Sequence, residues 1–354
     1  IRQNIPIMYY NIWDDLPFPH WNENAYESCD LLMAISKQTY NINKYVCSRK
    51  PRTNWDLKYV PHGIDENVYK PVEKLDNNLI KKKQELFKDK DIKFSLFFNS
   101  RNVRRKGVAD LIAAFSNFCD MLPKEEQKSC ALILHTDPVD DNGTDLPALH
   151  RNLCPELNII FSKKKMPAEE LNLLYNIADV TCNPSSAEGF GLSHMESMMA
   201  GTPTIATVIG GLQDQMGFKV GDRYVSLDDF SAKIPSNSTG KISTEHGNWT
   251  YPLFPQLSLQ GSPATPYIYD SRPNISNIAN GMYYWYNLPR EKREGFGLEG
   301  RKWAIESGFK QSDMCRFMID SIEGCFNNWK KRKRFTLINY KDTLEVKYEK
   351  GILI

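Results

Sequence analysis

No C-x-x-C pair occurs among the eight cysteines, which stand singly at Cys29, Cys47, Cys119, Cys130, Cys154, Cys182, Cys315 and Cys325. This spacing excludes a disulfide-stapled scaffold and any Cys/His/Asp metal-ligand motif, and it fits reduced thiols in a cytosol. The sequence has no run of 18 or more apolar residues, and no charged start leading into a short apolar stretch and a small-residue cleavage site. Neither a membrane helix nor a signal peptide is therefore read. Net charge is almost nil: 45 Lys plus Arg against 43 Asp plus Glu leave +2. That provides no long-range field for a polyanion, so nucleic acid is not an expected partner. Four N-x-[ST] triplets, at Asn142, Asn237, Asn248 and Asn274, carry no weight without a signal peptide. The chain opens on Ile1 rather than Met and runs quickly into apolar residues, as the later part of a longer protein would.

The sequence does hold enough apolar material for two cores: 354 residues, 41% hydrophobic, at roughly 150 residues per domain. Ile5 to Trp13 is rich in β-formers and reads as a strand buried on both faces. A helical stretch through Tyr26 follows, then a strand Leu31 to Ile35, a helix capped by Ser36 and running to about Val46, and a strand around Tyr59. This β-α-β-α-β order predicts part of a parallel sheet over 1–72. The Lys/Asp/Asn-rich stretch from Lys74 to Lys93 reads as exposed, with a domain boundary near it.

A second alternating series fills most of 73–312. Strands are expected at Phe94 to Asn99, Ala131 to His135, Leu157 to Phe161, Val180 to Asn183 and Pro203 to Thr207. Helices are expected at Gly107 to Met121, Pro167 to Ile177 and Leu192 to Ala200. Five such strands make a doubly wound, Rossmann-like sheet whose ligands sit at the strands' carboxyl ends. From 217 to 273 the pattern dissolves into Ser, Gly, Pro and Asn, which reads as a long irregular insertion. Helical periodicity returns at Ile275 to Tyr286 and at Glu291 to Phe326, and the basic run Lys330 to Arg334 ends the last helix. The final unit, 313–354, is a helix and tail.

The most informative segment, Pro184 to Pro203, lies between a strand and a helix. Gly189 and Gly191 let the backbone approach a ligand, the new helix offers free N–H groups to an anion, and Glu188 and Glu196 flank them. Carboxylates suit vicinal hydroxyls and helix N-termini suit phosphate, so the pattern points to a ligand carrying both. A second segment, Arg101-N-V-R-R-Lys106-Gly107, puts cations at a helix start. They are electrostatically misplaced there unless an anion visits, although a solvated basic surface is the plainer alternative. Glu294-Gly-Phe-Gly-Leu298 repeats the five-letter string with Lys302 where the second carboxylate belongs, so the string alone is weak.

E-G-F-G-L-x-x-x-E followed by A-G-T-P resembles the E-x7-E signature of retaining GT-B glycosyltransferases, most like glycosyltransferase family 4. The likeness extends to Arg101 and Lys106-Gly107, to Ile209-Gly210-Gly211-Leu-Gln-Asp214, to A-I-Ser36 and to V-P-His62-Gly63-Ile-Asp65. The resemblance implies an α/β GT-B fold, two Rossmann-like domains with a cleft between them, the N-terminal one lacking its first half and its glycine-rich loop. It implies that the terminal helix beyond Asp313 packs back on the N-domain. It also implies transfer of a hexose-type sugar from a UDP- or GDP-sugar to a glycan, lipid or protein acceptor, without cofactor or metal. Arg101 and Lys106 would neutralise the departing diphosphate. Glu188, with Gly189, Phe190, Gly191 and Leu192, would hold the donor sugar, and Glu196 the ribose diol.

The sequence departs from many members after its first strand, where Trp13-Asp14-Asp15 stands in place of a histidine. Asp14 is read there as a loop cap rather than a polar group of the cleft. His194 is read as core or supporting, and Lys163 to Lys165 as nucleobase contact or plain surface. The rival functions are a nucleotide-sugar epimerase or glycan phosphorylase on the same architecture, and a noncatalytic binding module. A cytoplasmic location is expected, with Lys330 to Arg334 as a possible touch point for an anionic membrane surface.

Overall fold

Phe94 to Asn99 alternates in what each side chain touches: Leu96 and Phe98 point into one apolar layer, Phe97 into the other. A strand covered on both faces belongs at the centre of a parallel sheet, and the computed structural model, which describes residues 5–49, 56–162 and 165–331, places it there. The sheet has six parallel strands. Counted in chain order they are Phe94–Asn99, Cys130–His135, Asn158–Ser162, Val180–Asn183, Thr204–Thr207 and Thr250–Leu253, and in space they run 3-2-1-4-5-6. This is the doubly wound order, and its switch point lies between the first and fourth strands. One face is covered by the helices Val108–Asp120 and Ile275–Asn287, through Leu111, Phe115, Phe118, Met282 and Trp285. The other is covered by Ala168–Ile177 and Asn77–Phe87, through Leu174, Tyr175 and Phe87.

The N-terminal lobe has three parallel strands, Met8–Asn11, Leu31–Ala34 and Asp56–Tyr59, with Leu31–Ala34 in the middle and fully buried. Ser36 caps the helix Lys37–Val46 by accepting the Thr39 amide at 3.0 Å. The chain crosses between lobes twice, and the crossings hydrogen-bond to each other: Ile64 N–H donates to the Phe309 carbonyl at 2.9 Å and Gln311 N–H to the Ile64 carbonyl at 3.0 Å. The helix Gln311–Asn328 then lies against the N-lobe, with Phe317, Met318 and Cys325 on Leu31, Met33 and Val60.

Several expectations are corrected. Met8–Asn11 is an edge strand of the described sheet and only partly buried, not buried on both faces. The 74–93 stretch holds a helix, capped by Asp76, whose Leu79, Leu86 and Phe87 pack on the core. The segment 217–273 is not irregular throughout. It supplies the sixth strand of the main sheet and a hairpin, Gln256–Ser262 with Thr265–Arg272. A helix at Leu146–Leu153 was missed. The single helix expected from Glu291 to Phe326 is two, Arg290–Glu306 and Gln311–Asn328, parted at Gly308. The last helix ends at Asn328, and Arg332 to Arg334 lie outside the described residues, as do Lys163 and Lys164. Among the described residues no helix is long and apolar enough to cross a membrane.

Candidate active site

At the switch point the ends of Phe94–Asn99 and Val180–Asn183 open into a cleft of about 650 Å³ between the lobes, a size usual for small-molecule sites. The C-domain side is the turn after Val180–Asn183 and the start of the helix Leu192–Met199. The N-lobe side is Ile12, Asp14, Asp15, Ile35 and His62. Two glycines shape the turn. Gly191, at φ 93°, begins the helix where a Cβ would overlap Leu212. Gly210, at φ 41°, lies so close to the turn that a Cβ would overlap the Glu188 carbonyl, which the Gly211 amide meets at 3.0 Å. Only glycine combines that backbone angle with that approach.

Glu188 and Lys106 form a buried ion pair, their side chains 12% and 11% exposed. Ser185 Oγ donates to the same carboxylate at 3.2 Å, and Arg105, bonded to the Ala187 carbonyl at 2.8 Å, stands 4.0 Å from it. Glu196 accepts the Tyr175 hydroxyl at 2.6 Å and Asn99 Nδ2 at 3.5 Å. Burial raises its pKa, opposed by the Tyr175 and Tyr69 hydroxyls. Gly189, Phe190, Gly191 and Leu192 line the cleft beside them. The arrangement offers cations and a helix N-terminus to an anion, and two carboxylates to hydroxyl groups.

Arg101 is elsewhere. Its Nε donates to Asp140 at 3.0 Å, its side chain is 64% exposed, and it is not part of the cleft lining. Of the two cations expected together, Lys106 lines the cleft and Arg101 does not; Arg105 is the cation that stands beside Lys106 there. The cause is local: a one-turn 3-10 helix, Arg104–Lys106, sends successive side chains in different directions, which the basic run alone does not reveal.

Sequence reasoning also passed over His62, although its motif was noted. Its ring packs edge-on against Phe190, with centroids 5.4 Å apart, and Nδ1 lies 3.5 Å from the Tyr10 hydroxyl. Burial lowers its pKa, which favours the neutral imidazole. His194, by contrast, is fully buried beside Thr204, and burial lowers its pKa to about 3. Glu294, in the repeated string, sits on a helix surface and pairs with Lys74 and Arg290, each at 2.8 Å.

Asp14 does not serve as a simple loop cap: it lines the cleft, facing Asp15, Glu188 and Arg105. Burial, then the Asp15 and Glu188 charges, hold its carboxyl well above the usual range, with Arg105 opposing; Asp15 is raised less, again first by burial. A carboxyl whose folded pKa lies above its unfolded value favours the fold below the unfolded pKa, and that contribution is lost as pH rises through the folded one. Asp14→Asn is thus expected to raise stability above pH 7 by about 1–2 kcal/mol and to flatten the decline between pH 5 and 9. Thermal unfolding across that range checks it; an unchanged pH profile would contradict it.

Two Rossmann-like lobes with this cleft between them define the GT-B glycosyltransferase fold. Residues 78–225 match the family model described as glycosyl transferases group 1. The chain is 34% identical over 119 residues to the D-inositol 3-phosphate glycosyltransferase of Corynebacterium urealyticum, a match covering 33% of this chain and 27% of that one. It is 28% identical over 193 residues to the mannosylfructose-phosphate synthase of Agrobacterium fabrum, covering 53% and 39%. These matches thus span about a quarter to two fifths of the relatives' length. Among solved structures, Anabaena HepE in complex with UDP and glucose superposes over 90% of this chain and 71% of its own, with a TM-score of 0.63 at 17% identity.

Proposed function

We propose that this chain transfers a glycosyl group, with retention, from a nucleoside diphosphate sugar to a hydroxyl of a glycan, lipid or protein acceptor. The observation that carries the reading is the convergence of Lys106, Arg105, Glu188, Glu196 and the start of Leu192–Met199 on one interlobe cleft. The diphosphate lies against Lys106, Arg105 and the helix N-terminus, whose positive charge does most as the leaving group's negative charge grows. Those charges take the place of a divalent ion, so activity survives EDTA. Glu196 receives the ribose diol and Glu188 the donor sugar's hydroxyls. In the transfer, the bond from the anomeric carbon to the diphosphate oxygen breaks, and its electron pair leaves with the diphosphate. The acceptor oxygen bonds the same face of that carbon, and its proton passes to the departing phosphate oxygen. The donor nucleotide is UDP or GDP. The eight cysteines, all but Cys315 buried, suit a cytoplasmic location.

Thermal shift with UDP-, GDP- and ADP-sugars tests the reading. One of them should stabilise the chain, by about 2.7 kcal/mol at 100 times Kd, and Glu196→Ala should abolish the shift. No stabilisation by any of the three would end the proposal. The two arginines separate in the same assay. Arg105→Ala should weaken nucleotide binding about 10- to 100-fold, the worth of a charge-assisted hydrogen bond. Arg101→Ala, which removes an exposed pair with Asp140, should change it less than threefold. The reverse ranking would restore Arg101 to the clamp.

A further inference from the structure

Paired strands lie about 4.8 Å apart, so two parallel ones that end at one level release their exit loops side by side. Phe94–Asn99 and Cys130–His135 end in register, with Asn99 opposite His135. The loop that carries Arg105 and Lys106 therefore runs against the loop Thr136 to Asp145. That second loop is closed on itself. Leu146 N–H donates to the Pro138 carbonyl, Gly143 N–H to the Asp140 carbonyl and the Asn142 amide to Asp140 Oδ1, each at 2.9 Å. It offers its neighbour a fixed backbone edge.

Asn102 joins the two loops. It is 2% exposed, and its side-chain amide pairs in both directions with the backbone of Thr144: Nδ2 donates to the Thr144 carbonyl at 2.7 Å, and Oδ1 accepts the Thr144 amide at 3.3 Å. Nδ2 also lies 3.4 Å from the Pro138 carbonyl. Two residues on, Arg104 N–H donates to the Asn142 carbonyl at 3.1 Å. Gly143 sits so close that a Cβ there would overlap the Asn102 carbonyl and side chain. The chain is thus pinned on both sides of Val103, which fixes where the next turn begins. That turn, Arg104–Lys106, closes with Lys106 N–H on the Val103 carbonyl at 2.8 Å, and Ser186 N–H holds it from the cleft side by donating to the Arg105 carbonyl at 2.7 Å. A 3-10 turn advances about 120° per residue, so its starting phase decides which of several successive cations face the cleft. Arg105 and Lys106 line it, whereas Arg101 and Arg104, both exposed, do not, and neither do Asn102, Gly143 and Thr144.

We propose that Asn102 is a positioning residue of the transfer: held by the 136–145 loop, it sets the phase of Arg104–Lys106, so that the Arg105 guanidinium and the Lys106 ammonium meet the diphosphate while Asn102 itself stays out of the cleft. The assignment rests on the transferase reading, since it is the diphosphate that the two cations serve. The Arg101–Asp140 pair joins the same two loops, but it is too solvated to hold them. The buried amide does hold them, because its removal leaves the Thr144 carbonyl and N–H without their partner. A displacement of about 1 Å at such charges costs on the order of 100-fold in rate.

Titration calorimetry on the full chain with UDP and UMP, and with GDP and GMP, tests this. The ratio of diphosphate to monophosphate affinity reads the contacts of the second phosphate, and a general loss of stability leaves it unmoved. Asn102→Ala should lower that ratio about 10-fold or more, with the monophosphate Kd unchanged within about threefold. Gly143→Ala strikes the same contact from the other loop and should shift the ratio in the same direction, which keeps the test open if Asn102→Ala does not fold. Asn102→Ala/Arg105→Ala should lose less than the product of the two separate losses, because Asn102 acts through that guanidinium. Equal weakening of diphosphate and monophosphate would make Asn102 a support of the fold alone and overturn the proposal. So would an unchanged ratio in either folded variant, or a double variant in which the two losses multiply. Failure of every nucleotide to bind the unsubstituted chain would instead remove the transferase reading, and this assignment with it.

Discussion

Lys106→Ala is expected to slow transfer by about 10²- to 10³-fold, the range for removing one charge-stabilising donor from a preorganised site. The variant should also lose about 3 kcal/mol of stability, because Glu188 is left buried without its cation and close to Asp14. The two effects separate in Lys106→Ala/Glu188→Gln, which removes both charges. Stability should largely return while transfer stays slow, since the departing diphosphate still lacks its ammonium. Single-turnover kinetics beside thermal unfolding make the comparison. A double variant that regains activity with its stability would show that Lys106 serves only to neutralise Glu188.

Asp214→Ala should loosen the lobes by about 2–3 kcal/mol. Asp214 lies in the C-domain, buried, and its Oδ2 accepts the Lys37 amide at 2.8 Å and the Tyr59 hydroxyl at 3.2 Å, both from the N-lobe. The carboxylate thus serves the first turn of Lys37–Val46, where a negative charge also meets the helix dipole. Removing it leaves an amide and a hydroxyl inside the interface without an acceptor. Hydrogen exchange should quicken across Lys37–Val46, leaving Phe94–Asn99 protected, and donor affinity should weaken because the cleft needs both walls. Asp214→Asn keeps an acceptor oxygen and should recover most of the loss. Equal loss of protection in the central sheet would mean that Asp214 supports the C-domain itself rather than its contact with the N-lobe.

The elements read correctly from the sequence have a strong local cause. Ser36 marks its helix because a hydroxyl at that position satisfies an amide that nothing else in the first turn can reach. Val108–Asp120 was legible because its apolar residues recur at the helical period. The missed elements have opposing local signals. Thr250–Leu253 contains Pro252, which argues against a strand, yet it pairs at the sheet edge, where the missing N–H costs no ladder bond. Asn77–Phe87 is so rich in Lys and Asn that its narrow apolar stripe was lost among them. Its one clear sign was Asp76, which accepts the Asn78 and Leu79 amides at 2.8 and 3.0 Å. The helix Leu146–Leu153 had the comparable sign of Asp145 before Leu146-Pro147.

The residues of the cleft divide in the same way. The order of strands and helices, the turn glycines and the E-x7-E spacing are properties of neighbours in the chain, and the sequence by itself determined them: seven residues between Glu188 and Glu196 place both carboxylates at one helix start whatever surrounds them. Which cation faces Glu188, that Asp14 meets it from the other lobe, and that a hairpin some 240 residues further on roofs Asp14 and Asp15 were decided only in the tertiary structure. Those relations depend on side-chain direction and on lobe-to-lobe packing, and short-range contacts between groups far apart in sequence leave no periodic trace in it.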